Sequence, residues 1–188
     1  CNCTDLAIGE KHFSFDSVDP QLFSGAWYLS SIDISSETTQ ELPSDLLAGL
    51  SSLSSLKLTM NSLQELPSGF FLGATSSLVP DTLRSITISS DAVQELPPAL
   101  FVGLTRLYTL NLAMPLEEIP SGLLEGLTRM SYLEFHNARL GELPGGLLNG
   151  LNNLKTFEFT NHQLTTVPEE LFDGLSKLLA VDFRSGLI

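Results

Sequence analysis

Cysteine is nearly absent from this chain: its 188 residues hold two, Cys1 and Cys3, and none follows. A disulfide framework through the body of the chain is excluded. A Cys1–Cys3 bond would close a very tight ring, so these two remain disulfide candidates for partners outside the segment, or stand as free thiols. Basic side chains are scarce too, 9 Lys and Arg against 22 Asp and Glu, for a formal net charge of -13. That balance opposes the phosphate backbone of nucleic acid and the anionic face of a membrane, and neither is expected as a partner. No run approaches the roughly eighteen apolar residues of a membrane-spanning helix. The start, Cys1-Asn2-Cys3-Thr4, lacks the basic and apolar regions of a secretory signal, so the chain reads as soluble or as a mature or trimmed form. Asn2-Cys3-Thr4 does fit the N-x-[ST] acceptor pattern, which makes Asn2 a candidate glycosylation site if the chain is secreted.

What the chain has instead is apolar content, 43% of its residues, laid out with a period. Leu-Pro or its equivalent recurs at Leu42-Pro43, Leu66-Pro67, Leu96-Pro97, Ile119-Pro120, Leu143-Pro144 and Val167-Pro168, in steps of 24, 30, 23, 24 and 24. A glycine follows each proline after six residues, at Gly49, Gly73, Gly103, Gly126, Gly150 and Gly174. Beyond each glycine runs Leu-x-x-Leu-x-Leu or a close variant, as in Leu53, Leu56, Leu58 and in Leu107, Leu110, Leu112. Its last two apolar positions stand two apart, which is strand spacing. Leu29, Ile32 and Ile34 open the series and Leu178, Val181 and Phe183 close it, giving seven strands. Val18 with Leu22-Phe23-Ser24-Gly25 reads as a half unit, and His12-Phe13-Ser14-Phe15 as a capping strand over the open core.

One unit of this length cannot bury its own apolar side, so it must lie against a neighbour and the stack shares one core. The fold class is therefore an α/β solenoid with a parallel sheet of about seven short strands and a mostly irregular or 3-10 return side. Residues 1–17 read as an amino-terminal cap segment and 18–188 as a single solenoid domain. The six extra residues of the third unit fall within Ala74–Pro80, in a loop before the strand, either as a tolerated insertion or as a partner-contacting loop.

These units resemble extracellular leucine-rich repeats of the 24-residue LPxxLFxGLxxLxxLxL type, found in Toll-like receptor, Slit, small leucine-rich proteoglycan and variable lymphocyte receptor ectodomains. Leu171-Phe172-Asp173-Gly174-Leu175 carries the likeness most closely. The resemblance implies a horseshoe, an extracellular or cell-surface location, and a concave sheet that binds a protein or glycan. It also implies an asparagine three places after the last strand leucine, a position held here by Glu37, Asn61, Asp91, Pro115, Ala138, His162 and Gly186. That ladder is mostly missing, which puts the regularity of the turns in doubt. The family's amino-terminal cap commonly carries four cysteines, of which only a C-x-C is present. No carboxy-terminal cap follows Phe183, so the last unit is expected to expose its core edge unless more chain or a partner covers it.

Alternation along the strands assigns the face that a partner would meet. Its central column reads Asp33, Lys57, Thr87, Asn111, Glu134, Glu158 and Asp182. The first half is otherwise Ser and Thr, poor in the aromatic and arginine anchors of strong interfaces. In the second half Glu134, Glu158 and Asp182 occupy successive strands, and like charges placed side by side call for a basic partner, a cation or solvent. Tyr132, His136 and Arg184 flank them. The candidate partner-binding residues are therefore Tyr132, Glu134, His136, Glu158, Asp182 and Arg184, with Asp33 and Lys57 further along the column.

No metal site is expected. Three carboxylates on flat strands supply only part of a calcium shell, while His136 and His162 are 26 apart, out of phase with the repeat and without a nearby cysteine. No G-x-S-x-G or phosphate-binding glycine loop occurs, and a Glu134–Glu158 acid and base pair would sit on an open face. No enzyme and no cofactor are expected. Two functions compete: a recognition module, and a structural component that assembles with copies of itself through its repeat ends.

Overall fold

Parallel neighbours cannot be joined by a hairpin, so each short strand must be followed by a long return. A computed structural model describes residues 11–14, 22–71, 82–160 and 162–184. Cys1, Asn2, Cys3, the boundary at 17/18, the insertion at 74–80 and Gly186 lie outside the described residues. The strands are β1 (Lys11–Ser14), β2 (Ser31–Ser36), β3 (Ser55–Met60), β4 (Ser85–Ser89), β5 (Thr109–Ala113), β6 (Tyr132–His136), β7 (Thr156–Thr160) and β8 (Ala180–Asp182). They form one parallel sheet in chain order. The capping strand is present as β1, pairing with β2 ahead of the seven repeat strands.

Register is held by the apolar pattern, because slipping one residue would turn every leucine out to water. Ile32, Leu56, Ile86, Leu110, Leu133, Phe157 and Val181 stand in one row across the sheet. Along β4, β5 and β6 the pattern alternates half-buried and buried from end to end. The inward side chains join the leucines of the returns in a single continuous core. At its carboxy side that core turns aromatic, with Phe135, Phe157 and Phe159 fully buried.

The returns are turns rather than helices. Among the described residues the only helical piece is a 3-10 segment, Glu169–Phe172. Each unit begins its return in the same way: the proline carbonyl accepts the amide three residues on, from Pro43 to Leu46 through Pro168 to Leu171, at 3.1–3.2 Å. Gly103 and Gly126 adopt φ of +89° and +82°, and a methyl group at either would meet nothing within 4 Å. Glycine is there for its left-handed backbone, not for lack of room.

The turns leaving the strands are more regular than the missing asparagine ladder suggests. Serine caps two of them, after β2 and β4, one residue earlier. Ser36 Oγ accepts the amides of Thr38 and Thr39 at 3.3 and 3.0 Å, and Ser90 Oγ accepts those of Ala92 and Val93 at 3.2 and 3.3 Å. Ser90 also donates to the Leu63 carbonyl of the preceding unit at 3.3 Å. Met60 and Met114 fill the same buried place with apolar bulk. Asp91, at the asparagine position, is exposed, and Asn61 reaches across to the Glu37 carboxylate at 2.6 Å. After β6 the phase shifts by one residue: Asn137 takes a left-handed φ of 63° and Ala138 becomes the buried position. His162 follows that shifted phase in the next unit.

Candidate binding face on the sheet

Because the leucines and phenylalanines of each strand point into the core, the residues between them are displayed on the sheet's other side. Register places Asp33, Lys57, Thr87, Asn111, Glu134, Glu158 and Asp182 side by side across β2 to β8, as the alternation requires. The candidate residues divide into two groups. Asp33 and Lys57 pair with each other at 3.0 Å on β2 and β3. Tyr132, Glu134, His136, Glu158, Asp182 and Arg184 gather on β6, β7 and the end of β8, at least three strand spacings away, or about 14 Å.

The acidic group is more ordered than a row of repelling charges. Glu134 receives Asn111 Nδ2 and the Tyr132 hydroxyl on one oxygen, the latter at 3.0 Å. Asp182 is held by Arg184, with Nη2 at 2.6 Å and Nε at 2.9 Å. Glu158 stands between these two, in register with both Glu134 and Asp182. The fork of Arg184 is suited to grip a carboxylate in this way, although its exposure keeps the net gain small.

Tyr132 records the field of that cluster. Its phenol is pushed well above the ordinary tyrosine range, first by burial, then by its hydrogen bond to Glu134, and further by the charges of Glu134 and Glu158. Each of these favours the neutral O–H, which stays a donor to the carboxylate at any physiological pH. On the flank, His136 Nδ1 shares a hydrogen bond of 2.7 Å with Thr160 Oγ1. His136 and His162 do lie in different environments: the first is half-buried on the sheet face, the second buried in the turn after β7.

Asn111 stands in the central column without being among the candidate residues, and Thr160 carries no signal in the sequence that singles it out. Both fix candidate side chains from the adjacent strand. The signal for Asn111 was present in the register, since Asn111 and Glu134 are neighbours once the short unit of 23 residues is allowed for. Among the described residues no three His, Cys, Asp or Glu side chains are gathered to hold a metal ion. No helix there is long and apolar enough to cross a membrane.

A family model described as the BspA type leucine rich repeat region matches residues 1–79 and 80–188, in six copies. The chain belongs to the BspA-type leucine-rich repeat family. The repeat resemblance read from the motifs is thus borne out, with the BspA type as the matching one. No curated protein matches the sequence. Among solved structures, this BspA-type chain resembles the Drosophila Toll–Spätzle complex in its glycosylated form, with a TM-score of 0.74, 23% identity, and 94% of this chain against 23% of that one. It also resembles the TLR13–ssRNA13 complex, with a TM-score of 0.76, 20% identity, and 90% of this chain against 24% of that one. The chain therefore spans about a quarter of the length of those solved chains. At such identities the likeness is one of fold, and it fits the parallel repeat stack described above.

Proposed function

We propose that this chain is a non-catalytic binding module, working outside the cell or at its surface, that docks a protein with a basic segment on the β6–β8 part of its sheet face. The observation that carries this reading is the in-register row of Glu134, Glu158 and Asp182, with Tyr132 half-buried beside it. Glu134 is pre-oriented by the neutral donors Asn111 and Tyr132, which lowers the entropy cost of meeting a cationic side chain. Fold likeness adds support of a general kind, since the Toll structure is a complex with a protein, Spätzle. The RNA in the TLR13–ssRNA13 complex means that the fold itself does not rule out nucleic acid. Only the charge of -13 disfavours nucleic acid as the ligand of this chain.

The test is a pair of double charge reversals read by binding of a short oligolysine peptide. Glu134→Lys with Glu158→Lys should weaken binding by about ten-fold or more. Glu41→Lys with Glu65→Lys, which alters net charge equally at exposed positions on the return side, should leave it nearly unchanged. Equal loss in both variants would make net charge, and not this face, the source of binding. Attachment to a neutral oligosaccharide that survives the first pair would turn the reading towards a glycan.

A second reading is end-to-end packing with copies of the same chain through the repeat ends. Sedimentation across a wide concentration range decides it: assembly should give species that grow with concentration, whereas a binding module stays monomeric.

A further inference from the structure

His162 has no place in the binding face, and its surroundings are unusual for an ionisable ring. It is 8% exposed, packed beside Phe159 at 5.3 Å and Phe183 at 6.0 Å between ring centroids. Its Nδ1 accepts the amide of Leu164 at 3.1 Å. That bond requires a lone pair on Nδ1, so the neutral ring must carry its proton on Nε2, and Nε2 is buried without a hydrogen-bond partner. A second proton can enter only at Nδ1, where it would meet the Leu164 N–H as donor against donor. It would also place a cation among phenylalanine rings.

Among the described residues no neighbouring charge offsets this. Glu158 of β7 and Asp182 of β8 belong to the opposite face of the sheet, and Arg184 is engaged with Asp182. Glu169 and Glu170 of the 3-10 segment, and Arg139 and Glu142 of the preceding turn, are exposed. Burial alone lowers the basicity of the ring.

We propose that His162 is a pH-sensitive clasp: neutral, it caps the turn after β7 and fills the core beneath the last unit; protonated, it leaves that pocket and loosens residues 162–184. The sign follows from linkage. A histidine whose basicity is lower folded than unfolded stabilises the fold above its ordinary pKa, and that contribution is lost as pH falls through the ordinary value towards the folded one. Loosening β8 would withdraw Asp182 from the row on the sheet face, so acid would act on that face from behind.

The test follows His162 Cε1–H by NMR against pH, together with hydrogen exchange of the Leu164 amide, in the full chain and in His162→Asn. Asparagine retains an acceptor for the Leu164 amide and does not titrate. His162 should titrate below the ordinary value of about 6.5. Protection at Leu164, corrected for intrinsic exchange, should fall by up to about ten-fold between pH 7.5 and 5.5, and H162N should show no such fall. Titration of His162 at or above the ordinary value, unchanged protection at Leu164, or an equal loss in H162N would each overturn the clasp. The first two measurements need only the parent chain and decide the matter even if H162N does not fold.

Discussion

Phe159→Ala is expected to lower the free energy of unfolding by about 3–5 kcal/mol, the range for deleting a fully buried aromatic side chain. Phe159 is 0% exposed and lies against four rings: His162 at 5.3 Å, Phe135 at 5.7 Å, Phe183 at 6.2 Å and Phe157 at 6.3 Å between centroids. These partners come from β6, β7, the turn after β7 and the residue just beyond β8, so the cavity would open where the units are joined. Relaxation is limited because each partner is itself held by the sheet register. Urea unfolding followed by circular dichroism should show the loss, and hydrogen exchange should place it in β6 to β8 rather than in β2 to β4. A loss below about 1 kcal/mol would mean that the aromatic end of the core is not packed as described.

Ser90→Ala should cost about 1–3 kcal/mol, whereas Asp91→Asn should change stability by less than about 0.5 kcal/mol. The contrast rests on which of two adjacent residues closes the turn after β4. Ser90 is 2% exposed; its hydroxyl accepts two amides and donates to a carbonyl of the preceding unit. Alanine would leave those backbone groups without their partner in a buried place, and an unmade bond costs more than a made one contributes. Asp91 sits where the repeat pattern leads one to expect asparagine, yet it faces solvent. Should D91N stabilise the chain by a kilocalorie or more, or S90A prove neutral, the serine would not be the cap.

The strands and their facing were legible from residues alone, because the period-two alternation and the repeat fix both at once. Ile86 and Ile88 had to point inward, and Thr87 outward, wherever β4 lay in the stack. The turn chemistry was not legible in the same way. Whether the capping side chain stands two or three places after the last inward residue depends on where the backbone leaves the strand. A single left-handed residue, Asn137, is enough to shift that phase between the first and last units. Two serines at equivalent places, Ser36 and Ser90, are the available signal, and they stand one residue before the position at which the repeat pattern calls for asparagine.

Charges on the face were partly legible. Their column was correct, but two of the three carboxylates in the row, Glu134 and Asp182, are held by polar partners at angles and reaches that a one-dimensional pattern does not carry. Tyr132 is two residues from Glu134 and meets it because both side chains rise from the same side of β6. Asn111 meets it from β5. The 3-10 or irregular return side was read correctly in kind. Its uniform proline-to-amide closure was not anticipated, since it depends on backbone dihedrals shared by units whose intervening residues differ.

Every strand in the described sheet pairs only with those immediately before and after it in the chain. Among the described residues no closing contact ties the first strand to the last, so the architecture sets no fixed number of rungs. A stretch of coding sequence copied in tandem would add a storey between two existing ones and find ready surfaces above and below. Lineages carrying such a gene can thus vary the reach of its product without having to redesign what already stands.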